Sequence, residues 1–544
     1  MAAYRERVRG DPYMHEGTGP LTAAGNKAVC PKNRRAYIAR HTAGTTERRL
    51  KESMTIRQAI NNTVYNKYKM NCNILKFIAI FTEIKSRQMR ARHILALLLC
   101  LAACIPAAYA ATTRPTGPGQ AVSRSGQDGF QAYFCDSTLR IDCILAGSTG
   151  SQAIYVDELY SFAGWAGRRH NLDRLPLRGN GQVELTDEAD GKTIYISSFS
   201  TLFQEWQTTQ EATTTRQAFE NVLLVPMPKR PATLQIRLFD THGKVCATLR
   251  HRIDPEEILI HRLSPAAPEE HRYLLRSGSA EDCIDVAIVA EGYTEDEKER
   301  FYSHAQTAVD AILSHEPFKS YRDRFNFVAV ALESKDSGVS VPAQGVWKDT
   351  ALESNFSTFH MDRYLTTRKV SNIADRLCGI PYEHIVILAN TETYGGGGIY
   401  NFYTLTTSLH DAFGPVVVHE FGHSFAGLAD EYYYDDMYSP YYHPDTEPWE
   451  QNITTLADFS SKWEDMLPDG TPVPTPAVED ASLRDALSAG EDAGGFVGVY
   501  EGAGYMSKGA YRPYPDCRMK TNGAPGFCPV CRRAIERMIL FYTE

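Results

Sequence analysis

The chain has 544 residues, 43% of them hydrophobic and 23% charged, with a formal net charge of −9. This supplies cores for roughly two to four domains and excludes a disordered or collagen-like chain. The acidic balance also excludes a dedicated nucleic-acid binder.

Charge is unevenly spread. Residues 1–110 carry 19 Lys and Arg against 6 Asp and Glu, and residues 111–544 carry 38 against 60. Within the basic end, Met89-Arg-Ala-Arg-His precedes the apolar run 94–103 and then Ala108-Tyr109-Ala110. A charged start, a short apolar core and a small-x-small site read as a secretory signal peptide over 89–110. The run falls short of the roughly 20 apolar residues that a membrane span needs. Translation then starts at Met89, and residues 1–88 are an upstream artefact or, failing that, a disordered extension. Leu101-Ala102-Ala103-Cys104 resembles a lipobox, so lipidation at Cys104 is the one route to membrane attachment that the sequence offers. The expected location is outside the cytoplasm: periplasmic, cell-surface or secreted.

Eight of the 12 cysteines follow Ala110: Cys135, Cys143, Cys246, Cys283, Cys378, Cys517, Cys528 and Cys531. An oxidising compartment permits disulfides among them. Cys528-x-x-Cys531 is half of a zinc knuckle with no second CxxC, which favours a local bridge involving Cys517.

Residues 111–129 are rich in Thr, Pro, Gly and Ser and read as a linker. Short β-segments are expected at 130–134, 154–159, 192–199, 233–240 and 245–251, separated by turns such as Gly179-Asn-Gly181. They predict an N-terminal β-sandwich over 130–265 that serves as spacer or recognition module. Residues 266–281 follow as a second linker. From 282 the pattern changes to strands alternating with helices: strand 284–290, helix 294–314 opened by the capping box Thr294-Glu-Asp-Glu297, strand 326–332, helix 361–376 and strand 384–389. That alternation predicts an α/β layer. Tyr394-Gly-Gly-Gly-Gly-Ile-Tyr400 supplies a segment of close backbone approach, suited to an edge facing a ligand. Residues 464–496 read as surface loop, and 530–541 as a closing helix.

The chemistry lies in Pro415-Val-Val-Val-His-Glu-Phe-Gly-His-Ser-Phe-Ala-Gly-Leu-Ala-Asp-Glu-Tyr432. His419 and His423 are four apart, so on a helix they share a face and can hold one Zn²⁺. Glu420, beside the first ligand, is placed to act as general base on a metal-activated water. Two incidental histidines on a solvated helix would keep polar company, yet Val416, Val417, Val418, Phe421 and Phe425 surround these. Metzincin-type sites use HExxHxxGxx[HD], in which Gly ends the helix and the residue three later returns to the metal. Here Gly427 comes one residue late, but the step from Gly427 to Asp430 is kept, which selects Asp430 as third ligand with Glu431 as its rival. Met519, 96 residues after His423, is a candidate for the methionine turn beneath the metal. Tyr432, Tyr505 and Tyr511 are the candidate hydrogen-bond donors to the transition state.

The motifs His419-Glu-Phe-Gly-His423, Gly427-Leu-Ala-Asp-Glu-Tyr432, Cys517-Arg-Met519 and Phe527-Cys-Pro-Val-Cys531 resemble the M64 peptidases, called IgA peptidases. The resemblance spans roughly 130–544 and implies a β-rich N-terminal domain followed by a metzincin-like zinc peptidase domain over 282–544. Together with the leader over 89–110, the expectation is an exported zinc-dependent endopeptidase that takes protein or peptide substrates. The competing readings are a zinc-bearing binding protein without turnover, which the intact Glu420 opposes, and a zinc amidase acting on cell-wall peptides.

Overall fold

Ile284–Glu291 is buried at every position, as its continuous apolar run requires of a strand covered on both faces. In the computed structural model, which describes residues 126–264, 267–434, 441–477 and 496–544, this strand is the centre around which the C-terminal layer is built. The signal peptide, Cys104 and residues 1–88 lie outside the described residues. Among the described residues, no helix is long and apolar enough to cross a membrane.

The N-terminal part opens with helix α1 (Gly126–Tyr133), then β1 (Phe134–Ser148), β2 (Ser151–Ala163), β3 (Gly181–Asp187), β4 (Thr193–Phe199), α2 (Leu202–Gln207), β5 (Gln217–Pro228), β6 (Ala232–Phe239), β7 (Val245–Ile253) and β8 (His261–Arg262). They form two four-stranded sheets, ordered β5-β1-β2-β8 and β4-β3-β6-β7. The strand expected at 130–134 is helix up to Tyr133, and β1 begins at Phe134, whose ring meets that of Phe130 at 5.4 Å. Buried charge hid β1. Arg140 lies inside it, 1% exposed, held by Asp142 at 2.7 and 2.6 Å and by Asp375 of the C-terminal layer at 2.6 Å.

The C-terminal part contributes β9 (His271–Arg276), β10 (Ile284–Glu291), α3 (Lys298–Leu313), β11 (Phe325–Val330), α4 (Val370–Arg376), β12 (His384–Ala389), β13 (Gly396–Ile399), β14 (Tyr403–Thr407), α5 (Phe413–Ala426), β15 (Tyr500–Ala503), β16 (Met506–Arg512) and α6 (Pro529–Thr543). Six strands make one mixed sheet, ordered β13-β14-β12-β10-β11-β9, with β14, β12, β10 and β11 parallel and both edge strands antiparallel. The capping box forms as expected, Thr294 N–H donating to Glu297 at 3.0 Å.

Two expectations change here. The stretch 266–281 contains β9, because Tyr273, Leu274 and Leu275 pack against the core while the backbone pairs with β11. Helix 361–376 shrinks to Val370–Arg376; within the residues before it, Tyr364 bridges to Gly396 and Thr366 to Asn355, backbone pairings that a helix does not allow.

The described residues all fall within one compact unit, and specific bonds join its two parts. Trp449 Nε1 donates to Asn180 Oδ1 at 2.9 Å, and Ser200 N–H donates to Tyr400 O at 2.9 Å. Of the loop expected at 464–496, residues 478–495 lie outside the described residues, and Glu464–Met466 forms a 3₁₀ turn.

Candidate metal centre

Helix α5 is fixed from its apolar side. Phe421 and Phe425 stack at 5.3 Å, and the Phe318 ring meets them at 5.4 and 5.6 Å. Burying each ring contributes roughly 1.5–3 kcal/mol, so the rotation of the helix is firmly set. His419, Glu420 and His423 are thereby turned to the opposite, half-exposed face. Gly427 caps the helix in the left-handed region at φ 58°, and an added Cβ would lie 2.6 Å from the Trp449 ring and 2.9 Å from Leu177. From there the chain doubles back through Leu428 and Ala429 to Asp430.

His419 Nε2 and His423 Nε2 lie 3.0 Å apart, and Asp430 Oδ1 is 3.0 Å from the first and 3.2 Å from the second. The other ring nitrogens are committed: His419 Nδ1 donates to Arg518 O at 2.8 Å and His423 Nδ1 to Leu428 O at 2.5 Å. A carbonyl only accepts, so each Nδ1 carries the hydrogen and each neutral ring presents its Nε2 lone pair to the common point. Two lone pairs and a carboxylate oxygen facing one another repel unless a cation stands between them. The donor set, two imidazoles and a carboxylate, suits zinc. Burial opposes charge on His423, but without a metal Asp430 outweighs it and raises the imidazolium to about 9, so that a proton supplies the positive charge that a bound cation would otherwise bring to this point. Burial likewise pushes Asp430 up, yet His423 and His419 hold it well below the usual carboxylate range.

Glu420 stands beside this point. Burial raises its carboxyl, and the two histidines work against that shift. Strand β13 runs along the same side of α5. Its period of two places Gly396 and Gly398 toward the helix, where an added Cβ would be 2.9 Å from Glu420 Oε1 and 2.2 Å from Glu420 O respectively. The glycine run is therefore an edge of close approach, as expected. Its partner is helix α5.

Met519 sits under the helix as anticipated: a Cβ on Gly422 would be 2.9 Å from Met519 Sδ, and Met519 O accepts from Glu431 N–H at 2.8 Å. Of the three tyrosines, Tyr505 donates its hydroxyl to Asp430 Oδ2, and the Tyr432 ring lies parallel to His419 with centroids 6.3 Å apart. Tyr511 pairs through its backbone with Thr454, and among the described residues it makes no contact with the histidines or Asp430. Glu431 is fully buried and directed away from the histidines, bonded by Asn452 Nδ2 at 3.0 Å and Cys531 Sγ at 3.1 Å.

Two residues near the site were not foreseen. Burial pushes the Glu205 carboxyl, from α2, up to about 7, while the Tyr364 hydroxyl that donates to it and the charge of His423 work against this. Nothing local marks either residue; only the packing of the N-terminal sheets brings Glu205 there.

Residues 129–250 match the family description Peptidase M64 N-terminus, and residues 273–485 and 478–539 match IgA Peptidase M64. The chain belongs to the peptidase M64 family. This M64 protein is therefore a metallopeptidase, a hydrolase of peptide bonds, with the family's N-terminal and peptidase domains and a protein or peptide substrate. No curated protein matches it. Among solved structures it is similar to the crystal structure of metalloproteinase-II from Bacteroides fragilis, at 10% identity over 45% of this chain and 84% of that one. The TM-score of 0.17 makes that superposition too loose to bear on the fold.

Proposed function

We propose that this metallopeptidase is an exported, zinc-dependent endopeptidase with a metzincin-like catalytic layer, in which His419, His423 and Asp430 hold the metal and Glu420 is the general base. The observation that carries the reading is the convergence of the two Nε2 lone pairs and Asp430 Oδ1 within 3.2 Å, with Glu420 adjacent on the same helix face. A zinc ion held by His419, His423 and Asp430 would supply Lewis acidity to the attacking water and the scissile carbonyl.

The chain's own residues do the rest. Glu420 takes a proton from the attacking water and returns it to the leaving amine nitrogen, a role that its raised carboxyl suits. Tyr505 and the backbone carbonyls of Arg518 and Leu428 fix Asp430 and the two imidazoles, so the donors need no reorganisation. Strand β13, an antiparallel edge beside Glu420 whose Gly396 is bridged to Tyr364, borders the space in which an extended peptide would lie. Export rests on the leader-like segment 89–110.

Glu420→Gln tests the reading, because it deletes the base and leaves every proposed ligand in place. The variant should keep its zinc while kcat falls by several orders of magnitude. Cleavage of peptides at the parental rate would overturn the assignment. A zinc amidase acting on cell-wall peptides would use the same residues and differ only in substrate.

A further inference from the structure

We propose a second, structural zinc site of three thiolates and one carboxylate, formed by Cys517, Cys528, Cys531 and Glu431 and separate from the histidine cluster. All four residues are buried, and one donor atom from each lies within 4.8 Å of the others. Cys517 Sγ and Cys531 Sγ are 3.8 Å apart, and Cys531 Sγ is 3.1 Å from Glu431 Oε1. A disulfide requires sulfurs about 2.05 Å apart. A tetrahedron of ~2.3 Å zinc–sulfur bonds instead has sulfur–sulfur edges of about 3.8 Å. The observed separation is that of a tetrahedral edge, and none of the three thiols is bridged.

Two further observations point to a cation. Glu431 is 0% exposed, and its Oε2 has no hydrogen-bond partner although it is enclosed. Leaving a buried carboxylate oxygen unpaired is costly, and a metal ligand bond removes that cost. Two of the sulfurs also accept backbone hydrogen bonds of the kind that support a metal-bound thiolate: Cys528 N–H donates to Cys517 Sγ at 3.3 Å and Cys531 N–H to Cys528 Sγ at 3.5 Å, with Cys528 at the N-cap of α6. Cys528-Pro-Val-Cys531 thus provides the knuckle, and the missing half comes from Cys517 and Glu431.

The site would staple three segments around the first centre. Glu431 follows Asp430; Cys517 precedes Arg518, whose carbonyl orients His419, and Met519; Cys528 and Cys531 open the closing helix. Zinc held there fixes the return of Asp430 and the turn beneath the helix without touching substrate.

The test is zinc stoichiometry and zinc X-ray absorption on the full chain, purified under ordinary aerobic conditions. The expected result is two zinc ions per chain, with sulfur neighbours at ~2.3 Å. The double variant His419→Ala, His423→Ala should retain one zinc in a sulfur-dominated shell. Cys528→Ser with Cys531→Ser should lose that zinc and the sulfur signal; if this variant fails to fold, the first two measurements still decide. One zinc with no sulfur neighbours overturns the inference and leaves the reading of the histidine site standing. One zinc with sulfur neighbours in the wild type, retained in the double histidine variant, supports it and overturns the other. A disulfide among these cysteines, seen by mass of the denatured, unreduced protein, also overturns it.

Discussion

Gly398→Ala places one methyl group between strand β13 and helix α5. The new Cβ would stand 2.2 Å from Glu420 O, 2.9 Å from His423 Cβ and 3.0 Å from Glu420 C, whereas ordinary contact begins at 3.4 Å. Two of the three obstacles are backbone atoms, so strand and helix must separate by about 1.2 Å along the worst contact. Overpacking of this kind costs about 1–3 kcal/mol. Removing a glycine from the unfolded chain returns about 0.4–1 kcal/mol, leaving a net loss of up to about 2.6 kcal/mol and a fall in Tm of up to a few degrees. Activity should suffer more, because an ångström of misplacement at reacting groups can lower rates about 100-fold. The assay is kcat/KM on a fluorogenic peptide beside a thermal melt. Gly150→Ala, whose added methyl meets nothing within 4 Å, is the control and should match the parent. Parental kcat/KM and Tm in Gly398→Ala would refute the idea that glycine is needed for this approach.

Asp430→Ala should weaken zinc binding at the histidines by more than the 10–100-fold typical of outer-shell losses, since it removes a donor; Glu431→Ala should leave zinc on the histidines. Chelator titration distinguishes them, and the reverse order would transfer the ligand role to Glu431. Burial against Phe425 and Tyr542 pushes His384 down to about 3. Its folded value is depressed, so the stability it contributes is present above its unfolded value of about 6.5 and is lost as pH falls toward 3. His384→Phe should flatten the decline of Tm between about pH 6.5 and pH 4; curves parallel to the parent would contradict this. Expression from Met89 should yield an exported product beginning near Ala111, or at Cys104 if lipidated, by intact mass, and a mature protein that retains residues 1–88 would dispose of that start.

Sequence alone makes some of this legible because the physics is local. The apolar run of β10, the capping box at Thr294 and the four-residue step from His419 to His423 each state their structure within one or two turns. What stayed hidden depends on partners far along the chain. Strand β1 reads as polar until Arg140 is seen paired inside the molecule with Asp142 and Asp375. Strand β9 reads as a linker because its pairing with β11 lies beyond the local window. Asp430 and Glu431 are chemically near-equal neighbours in the sequence. Only the fold separates them, one toward the histidines and one toward the cysteines. Glu205 gives no signal because its closeness to the site is made by a different sheet.

The seat of Gly427, between Leu177 and Trp449, has a consequence for how this protein can be divided or recombined. The end of the helix that bears the histidines is closed by a side chain contributed before residue 200, and Asn180 anchors the indole on the other side. A fragment starting at the catalytic layer would lack half of the socket in which its own helix terminates. Exchange of N-terminal modules between relatives would need matched residues at this seam. Inheritance of specificity should therefore follow the two parts as a pair, and recombination across 250–273 should be tolerated only between partners that share the seam.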